Sequence, residues 1–543
     1  MSEPTVTLRD TGQTLSARDY LCGVVPAEMP ASWPEAALRA QCVAAASYAA
    51  SKSWVVYSDA RDQAYNATRR TAKTDAIVDD MLGIVLWHVD QASLPPAERG
   101  KPARAYYSAY CGGEHKRDWG PHLRAGRCYC AADTQPIQRR WYEQNGGGHK
   151  QGLCQQGARA LAARGYTWDQ ILSWYYDLGD SLELRTDWGA QRLWAPPTPP
   201  ANRITLHIQR RDYPRWLTDS MARLAGRVEY VVCIDPPMES NPFSAQRVLA
   251  RIWTGGDANE QALIDRGREG AEAYWREIAG KAPAYVYAIL GPNEPIIETA
   301  KARANLVTFY RRLCDLAHAE GRRIAGPNTG VGRLGNDEAL TAAGWGWLDT
   351  MRVVAHELEP LYRAVDVATD HAYGRRSGAA WTGWTDWTLR QRLLIRHLPY
   401  DLQRDLVWVC TEGGLDIAGG EFDGWLGRSG PREEQYAQQI LEANRALSPQ
   451  VRGYALYTAL PEARWRSFEV TEGLWRRLET AILTMPGQAP ADSGDLYALA
   501  QTSRWQQEEA LREIERGDVS AAKTRLGDNI KRGYALETAL KGR

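Results

Sequence analysis

Phenylalanine is nearly missing from this 543-residue chain: there are four, against 22 Trp and 26 Tyr. No stretch of about 18 consecutive apolar residues occurs, which excludes a transmembrane helix. Neither sign of charge is in excess, since 66 Lys and Arg face 66 Asp and Glu. Nothing in that balance points to nucleic acid or an anionic membrane as partner. Met1 to Thr7 has neither the basic nor the apolar region of a secretory signal, so none is expected there. The nine cysteines are odd in number and scattered. They argue against a disulfide framework, and for reduced thiols or a local metal site. What is plentiful is Trp and Tyr, whose broad apolar faces and polar tips suit stacking on sugar rings as well as core packing.

A chain this long exceeds one hydrophobic core. Two proline-rich breaks, residues 194–202 and 485–495, divide it into an N-terminal unit (1–193), a middle unit (203–484) and a tail (496–543). The fold class expected is α/β multidomain. A mixed α+β domain comes first, then a (β/α)8 barrel, then a short α-helical hairpin broken near Gly517-Asp518-Val519-Ser520. The hairpin is too small to hold a large core alone; it could pack on the barrel or mediate self-association. The middle unit alternates β-type runs with amphipathic helices such as Glu260–Ala279 and Ile297–Glu320. Its strands read as Arg203–Gln209, Val228–Asp235, Val248–Trp253, Ala284–Leu290, Arg323–Pro327, Val365–His371, Leu406–Cys410 and Gly453–Tyr457. Eight strands over about 280 residues have the rhythm of a TIM barrel.

In the N-terminal unit a β-like run ends at Pro26, and Ser32 and Glu35 have capping-box spacing for a helix starting near Trp33. Glu28 is therefore expected in a proline-bracketed loop. A carboxyl there is either solvated or partly desolvated, and desolvation would raise its pKa enough to hold a proton for a leaving group. Five blocks then occur in order: Tyr20–Tyr48 with Pro26-Ala27-Glu28-Met29-Pro30, Asp62-Gln63-Ala64-Tyr65, Tyr107–Gly113, Gly148–Ala158, and Ile171–Tyr176. Through residues 5–180 this resembles the stage II sporulation protein D/LytB (SpoIID) family. The resemblance implies a lytic transglycosylase that cleaves the bond between N-acetylmuramic acid and N-acetylglucosamine of peptidoglycan, without water, leaving a 1,6-anhydro end. It implies Glu28 as acid and base, with His149 and Tyr175 in the sugar groove. Two positions depart from the family pattern: Ala46 stands where an arginine is expected, and Lys150 where a glycine is expected. Loss of a groove arginine puts full activity in doubt.

Cys111, His115, Cys128 and Cys130 fall within twenty residues and could supply four tetrahedral zinc ligands. The resemblance supports zinc near this turn. A Cys111–Cys128 disulfide or plain buried thiols are the alternatives.

In the middle unit, Asn293-Glu294-Pro295 follows the fourth strand and Thr411-Glu412-Gly413 the seventh. Barrel enzymes place their chemistry at the C-terminal ends of strands, so both glutamates should share one mouth. Retaining glycosidases need such a pair. The pattern resembles clan A glycoside hydrolases. That implies Glu294 as acid/base, kept protonated, and Glu412 as nucleophile. It also implies Asn293 on a sugar hydroxyl, His371 among the substrate-binding residues, and Tyr373, likewise substrate-binding, near the nucleophile. Trp253 and Tyr457 are expected stacking platforms or rim packing. His356-Glu357-Leu358-Glu359 lacks the second histidine of a zinc protease helix and reads as a solvated face.

The function expected is a cell-wall polysaccharide-degrading enzyme carrying both activities. The alternative is a glycan-binding module with weakened N-terminal catalysis. The expected partner is peptidoglycan or another polysaccharide. The expected absence of a signal would suit a phage lysin or virion-associated protein, released by lysis, or another export route.

Overall fold

The structure is a computed structural model that describes residues 3–120, 122–144, 148–179, 181–193, 199–374, 390–416, 424–427 and 430–485. The expected helical hairpin at 496–543 lies outside the described residues. The chain forms two compact units. The first is Met1–Ala195 together with Leu340–His356 and Ile395–Tyr400, and the second holds the rest of the described chain. Among the described residues no helix is long and apolar enough to cross a membrane.

The first unit is mixed α+β. Its core is two helices, α1 (Ala17–Glu28) and α2 (Glu35–Ser51). The β-like run before Glu28 is therefore helical, against the sequence reading. Ser16 caps α1 by accepting from the Asp19 amide, and Tyr20 to Pro26 are all buried. A helix apolar on every side is one enclosed by its domain, where tertiary burial overrides β-like local preference. Glu28 is the last helical residue rather than a loop residue. The capping box at Ser32 does not form either. Pro34 precedes α2 without a side-chain cap, and Glu35 pairs with Arg39 one turn on. Gly23 faces the Tyr65 ring so closely that a Cβ would sit 2.3 Å from it. That close approach holds the 62–65 loop against the end of α1.

Three of its further helices bear on the site: α3 (Pro136–Gln144), α4 (Gln155–Ala163) and α5 (Trp168–Tyr175). Ala46 is 1% exposed, inside the core. Lys150 has φ +64°, a left-handed conformation that costs a non-glycine residue about 1–2 kcal/mol. Lys150→Gly should therefore stabilise the protein by about 1 kcal/mol, after allowing for the extra chain entropy of glycine. Urea unfolding checks this: the midpoint should rise with an unchanged m-value.

The second unit is a closed barrel of eight parallel strands in chain order. They are β1 (Ile204–Ile208), β2 (Tyr230–Ile234), β3 (Arg247–Arg251), β4 (Ala288–Leu290), β5 (Ile324–Thr329), β6 (Val367–Gly374), β7 (Trp408–Leu415) and β8 (Val451–Ala459). β8 closes on β1 with Ile204 opposite Tyr454. Val232, Leu249, Leu290, Ala325, Val367, Val409 and Ala455 belong to its packed interior, as expected for parallel strands buried on both faces. The helix expected over Glu260–Ala279 is two, α6 (Asp257–Ile264) and α7 (Arg268–Ile278), separated at Gly267 with φ +55°. The one expected over Ile297–Glu320 is α8 (Ala300–Ala319). His356 to Glu359 lie in α9 (Trp347–Ala364) and do not form a solvated face. Leu358 is fully buried, Glu357 binds the buried Arg303 at 2.5 Å, and the His356 ring stacks on Tyr166.

Candidate functional site

In the first unit the end of α1 brings Glu28 into a cavity of about 590 Å³ that Tyr48, Asp62, Tyr107, Ser108 and His149 also line. Glu28 Oε1 accepts from the Ala64 amide at 2.6 Å and Oε2 from Gln155 Nε2 at 3.0 Å. Burial raises its pKa, and those two hydrogen bonds only partly oppose the rise. Burial thus favours the protonated form of Glu28, the form that can give a proton to a leaving group. Asp62 differs: it takes hydrogen bonds from Tyr48 (2.9 Å) and the Tyr57 amide (2.8 Å) and pairs with Lys52. Despite burial these hold its pKa down. Two carboxyls in one cavity are thereby pushed apart, one towards the neutral form and one towards the charged. His149 accepts from the Gln151 amide on Nδ1 at 3.0 Å, and burial lowers its pKa. It is therefore a neutral imidazole with Nε2 as the donor.

Tyr175 is not in this groove. It is fully buried, with its hydroxyl 3.3 Å from Cys128 Sγ. The thiols also differ from the set expected. Cys111, Cys128, Cys130 and Cys154 are buried with their sulfurs within 4.8 Å of one another. His115 stands outside the group: its Nδ1 contacts the Arg124 carbonyl at 2.6 Å. The sequence reading took the nearest imidazole and missed Cys154, which had been in view within the Gly148–Ala158 block. Backbone geometry supports thiolates here. The Gly113 amide donates to Cys130 Sγ at 3.2 Å, and the Gly157 amide to Cys154 Sγ at 3.4 Å, at the N-terminus of α4. A tetrahedral zinc with bonds of ~2.3 Å needs sulfurs about 3.8 Å apart, and this cluster fits that ion. None of the nine cysteines is in a disulfide.

In the barrel, Glu294 follows β4 and Glu412 lies in β7, and both line one cavity of about 620 Å³. His371 on β6 pairs in register with Glu412. Its Nδ1 is 3.0 Å from Glu294 Oε1 and 3.6 Å from Glu412 Oε2. Laid end to end, those distances allow the carboxylate oxygens to be no more than about 6.6 Å apart. Tyr373 donates to Glu412 Oε2 at 2.9 Å. Glu294 holds φ +40°, with its amide on the Asn328 carbonyl at 3.1 Å. The Asn328 side chain in turn bonds the Gly291 carbonyl (3.0 Å), Thr369 (2.7 Å) and Thr411 (3.2 Å). It thereby ties β4, β6 and β7 together from β5.

The hydrogen bond from His371 holds the Glu294 pKa below its ordinary value, outweighing burial. Burial opposes the His371 proton, but Glu412 and Glu294 together raise its pKa. Both directions favour an imidazolium–carboxylate pair between His371 and Glu294 over the neutral pair. Sequence reasoning also missed His207 on β1, buried, with Nδ1 3.8 Å from Glu412 Oε1, and Arg251 ending β3 in the same cavity. A lone histidine in an apolar strand and an arginine at a strand end were the available signals. Trp253 is 46% exposed and carries Arg251 over its ring at 5.4 Å. Tyr457 is buried wall, its hydroxyl accepting from Gln209 at 2.6 Å. Asn293 lines the cavity, its amide on Glu260 at 2.6 Å.

Residues 9–88, which include Glu28, match the SpoIID stage II sporulation protein family. No curated protein matches the chain. Among solved structures, a β-1,3-glucanase and pollen allergen of Cryptomeria japonica is 10% identical, with 51% of this chain and 95% of that one covered and a TM-score of 0.29. A GH30 endoxylanase from Clostridium papyrosolvens is 11% identical, with 55% and 75% covered and a TM-score of 0.29. A GH2 β-galacturonidase from Eisenbergiella tayi is 11% identical, with 56% and 58% covered and a TM-score of 0.31.

Proposed function

We propose that the protein degrades cell-wall polysaccharide with two separate sites. The first unit is a peptidoglycan lytic transglycosylase. The observation that carries this is a desolvated, hydrogen-bonded Glu28 of raised pKa within the SpoIID-matched segment. Glu28 gives its proton to the glycosidic oxygen as the bond to C1 breaks. The resulting carboxylate then takes the proton of the muramic acid 6-hydroxyl as that oxygen closes on C1. No water enters, and the proton count balances on one side chain. The test is mass spectrometry of a peptidoglycan digest. Anhydro ends support the reading; a digest without them overturns it, whether or not reducing ends appear.

The barrel is a retaining glycoside hydrolase. Glu412, steadied by Tyr373, attacks C1, and Glu294 protonates the leaving oxygen with a proton drawn from His371. Water then hydrolyses the glycosyl-enzyme with Glu294 as base. The two carboxylates share His371, and the oxygens that face it stand at most about 6.6 Å apart, which accommodates the ≈5–5.5 Å of a retaining pair; the anomer formed first tests this reading.

Cys111, Cys128, Cys130 and Cys154 would hold a structural zinc, which supplies folding free energy rather than chemistry. Protein purified without chelator should carry about one equivalent. Cys154→Ser should lose it, and His115→Gln should keep it. Elemental analysis of the two variants separates this ligand set from one that includes His115.

A further inference from the structure

Two large apolar side chains are exposed at the Glu28 cavity. Trp119 is 49% exposed and Trp141 is 60% exposed, and both line it. Each is braced from within the unit. The Trp119 ring lies 4.4 Å from His149 and 4.9 Å from Tyr106, centroid to centroid. Trp141, on α3, meets Tyr142 edge-on at 5.2 Å, and Tyr142 stacks on Tyr110 at 5.3 Å. The first two residues of α4 link one of these platforms to the acid. Gln155 holds Glu28, and Gln156 donates to the Tyr142 hydroxyl at 3.2 Å. Ser108 Oγ, buried in the same wall, has no hydrogen-bond partner. Indoles braced from behind and open in front, with polar groups and an acid between them, make a surface for rings with apolar C–H faces and hydroxyl edges.

We propose that Trp119 and Trp141 are stacking platforms for two sugar rings of a single glycan strand held across Glu28. The site thus engages an extended strand rather than a lone disaccharide end. This rests on the transglycosylase reading of Glu28. Ile137, one turn before Trp141 on α3 and 79% exposed, extends the same apolar edge outward for a longer strand.

Binding of peptide-free glycan strands to the full-length Glu28→Gln protein tests it, followed by intrinsic fluorescence or calorimetry. Trp119→Ala and Trp141→Ala should each weaken strand binding by about three- to ten-fold. Trp→Phe at either site should recover most of the loss, and the melting temperature should not move. In the Glu28 protein the same alanine variants should raise KM for long strands with little change in kcat. Equal binding by all variants overturns the platforms and leaves the reading of Glu28 standing. No binding by the Glu28→Gln parent overturns both. Binding to intact sacculi but not to peptide-free strands assigns the indoles to stem peptides and overturns the proposal.

Discussion

Glu28→Gln should lower the yield of 1,6-anhydro muropeptides by about 10³-fold, with the barrel's glycosidase rate unchanged and the melting temperature no lower. The large effect follows from one side chain serving as both acid and base, so that its loss removes both proton transfers. The fold should tolerate the change. The new amide oxygen can still accept from Ala64, and its nitrogen can donate to Gln155 once that amide turns over. The wild-type enzyme should lose activity as pH rises through the Glu28 pKa. Because that value is raised by burial, the loss comes above the ordinary carboxylate range. Because burial raises the Glu28 pKa, folding loses stability as pH climbs above the ordinary carboxylate value. Glu28→Gln should therefore be at least as stable as wild type there, and differential scanning calorimetry across pH measures it. Wild-type rates of anhydro-end formation in the variant would remove Glu28 from the mechanism.

The barrel should yield the second large effect. A mechanism-based fluorosugar of matching configuration should label Glu412, and mass spectrometry of the digested protein locates the adduct. Glu294→Ala should slow substrates with poor leaving groups by about 10²–10⁴-fold and spare activated aryl glycosides, which need no proton. His371 adds a pH signature. Its pKa is raised, so the proton available to Glu294 persists above a histidine's usual ~6.5 and is lost as pH climbs through the raised value. The alkaline limb of kcat/KM should therefore lie above about pH 6.5 and flatten in His371→Gln. The folding contribution has the same sign: the His371 pairings stabilise the barrel below that limb and weaken above it. Glu294, whose pKa is lowered, stabilises above its ordinary value and loses that effect as acid is added. An adduct on any residue outside β7, or inversion at the anomeric centre, overturns this scheme.

The barrel was legible because its information is local. Parallel strands buried on both faces read as short apolar runs, and the helices between them have a different period, so all eight could be placed from the chain alone. Glu294 and Glu412 were visible because strand ends carry barrel chemistry. His207, Arg251 and Asn328 were not, since their importance lies in what neighbouring strands bring beside them. The same limit explains α1. Tyr20 to Val25 look β-like in isolation, and only enclosure by the rest of the unit makes a helix the better answer. Cys154 lies 24 positions beyond Cys130, so spacing alone favoured the nearby His115 over it.

The first unit takes in Leu340–His356 and Ile395–Tyr400, and this has a consequence for synthesis on the ribosome. Arg352 lies over the Trp174 ring at 5.3 Å, Asp349 accepts from the Arg127 amide at 3.1 Å, and Asp169 accepts from the Tyr400 amide at 2.7 Å. None of these partners exists when residue 195 emerges. Some 200 further residues must be translated first, which at ~5–20 residues per second takes roughly 10–40 s. During that interval Trp174 and Asp169 wait without their later partners, while barrel sequence is already emerging. A chain stopped at Ala195 is therefore an unfinished domain, however natural the proline-rich break makes that cut look. Released as a fragment, it should bind chaperones or aggregate, whereas the chain carried past Tyr400 can close the first unit.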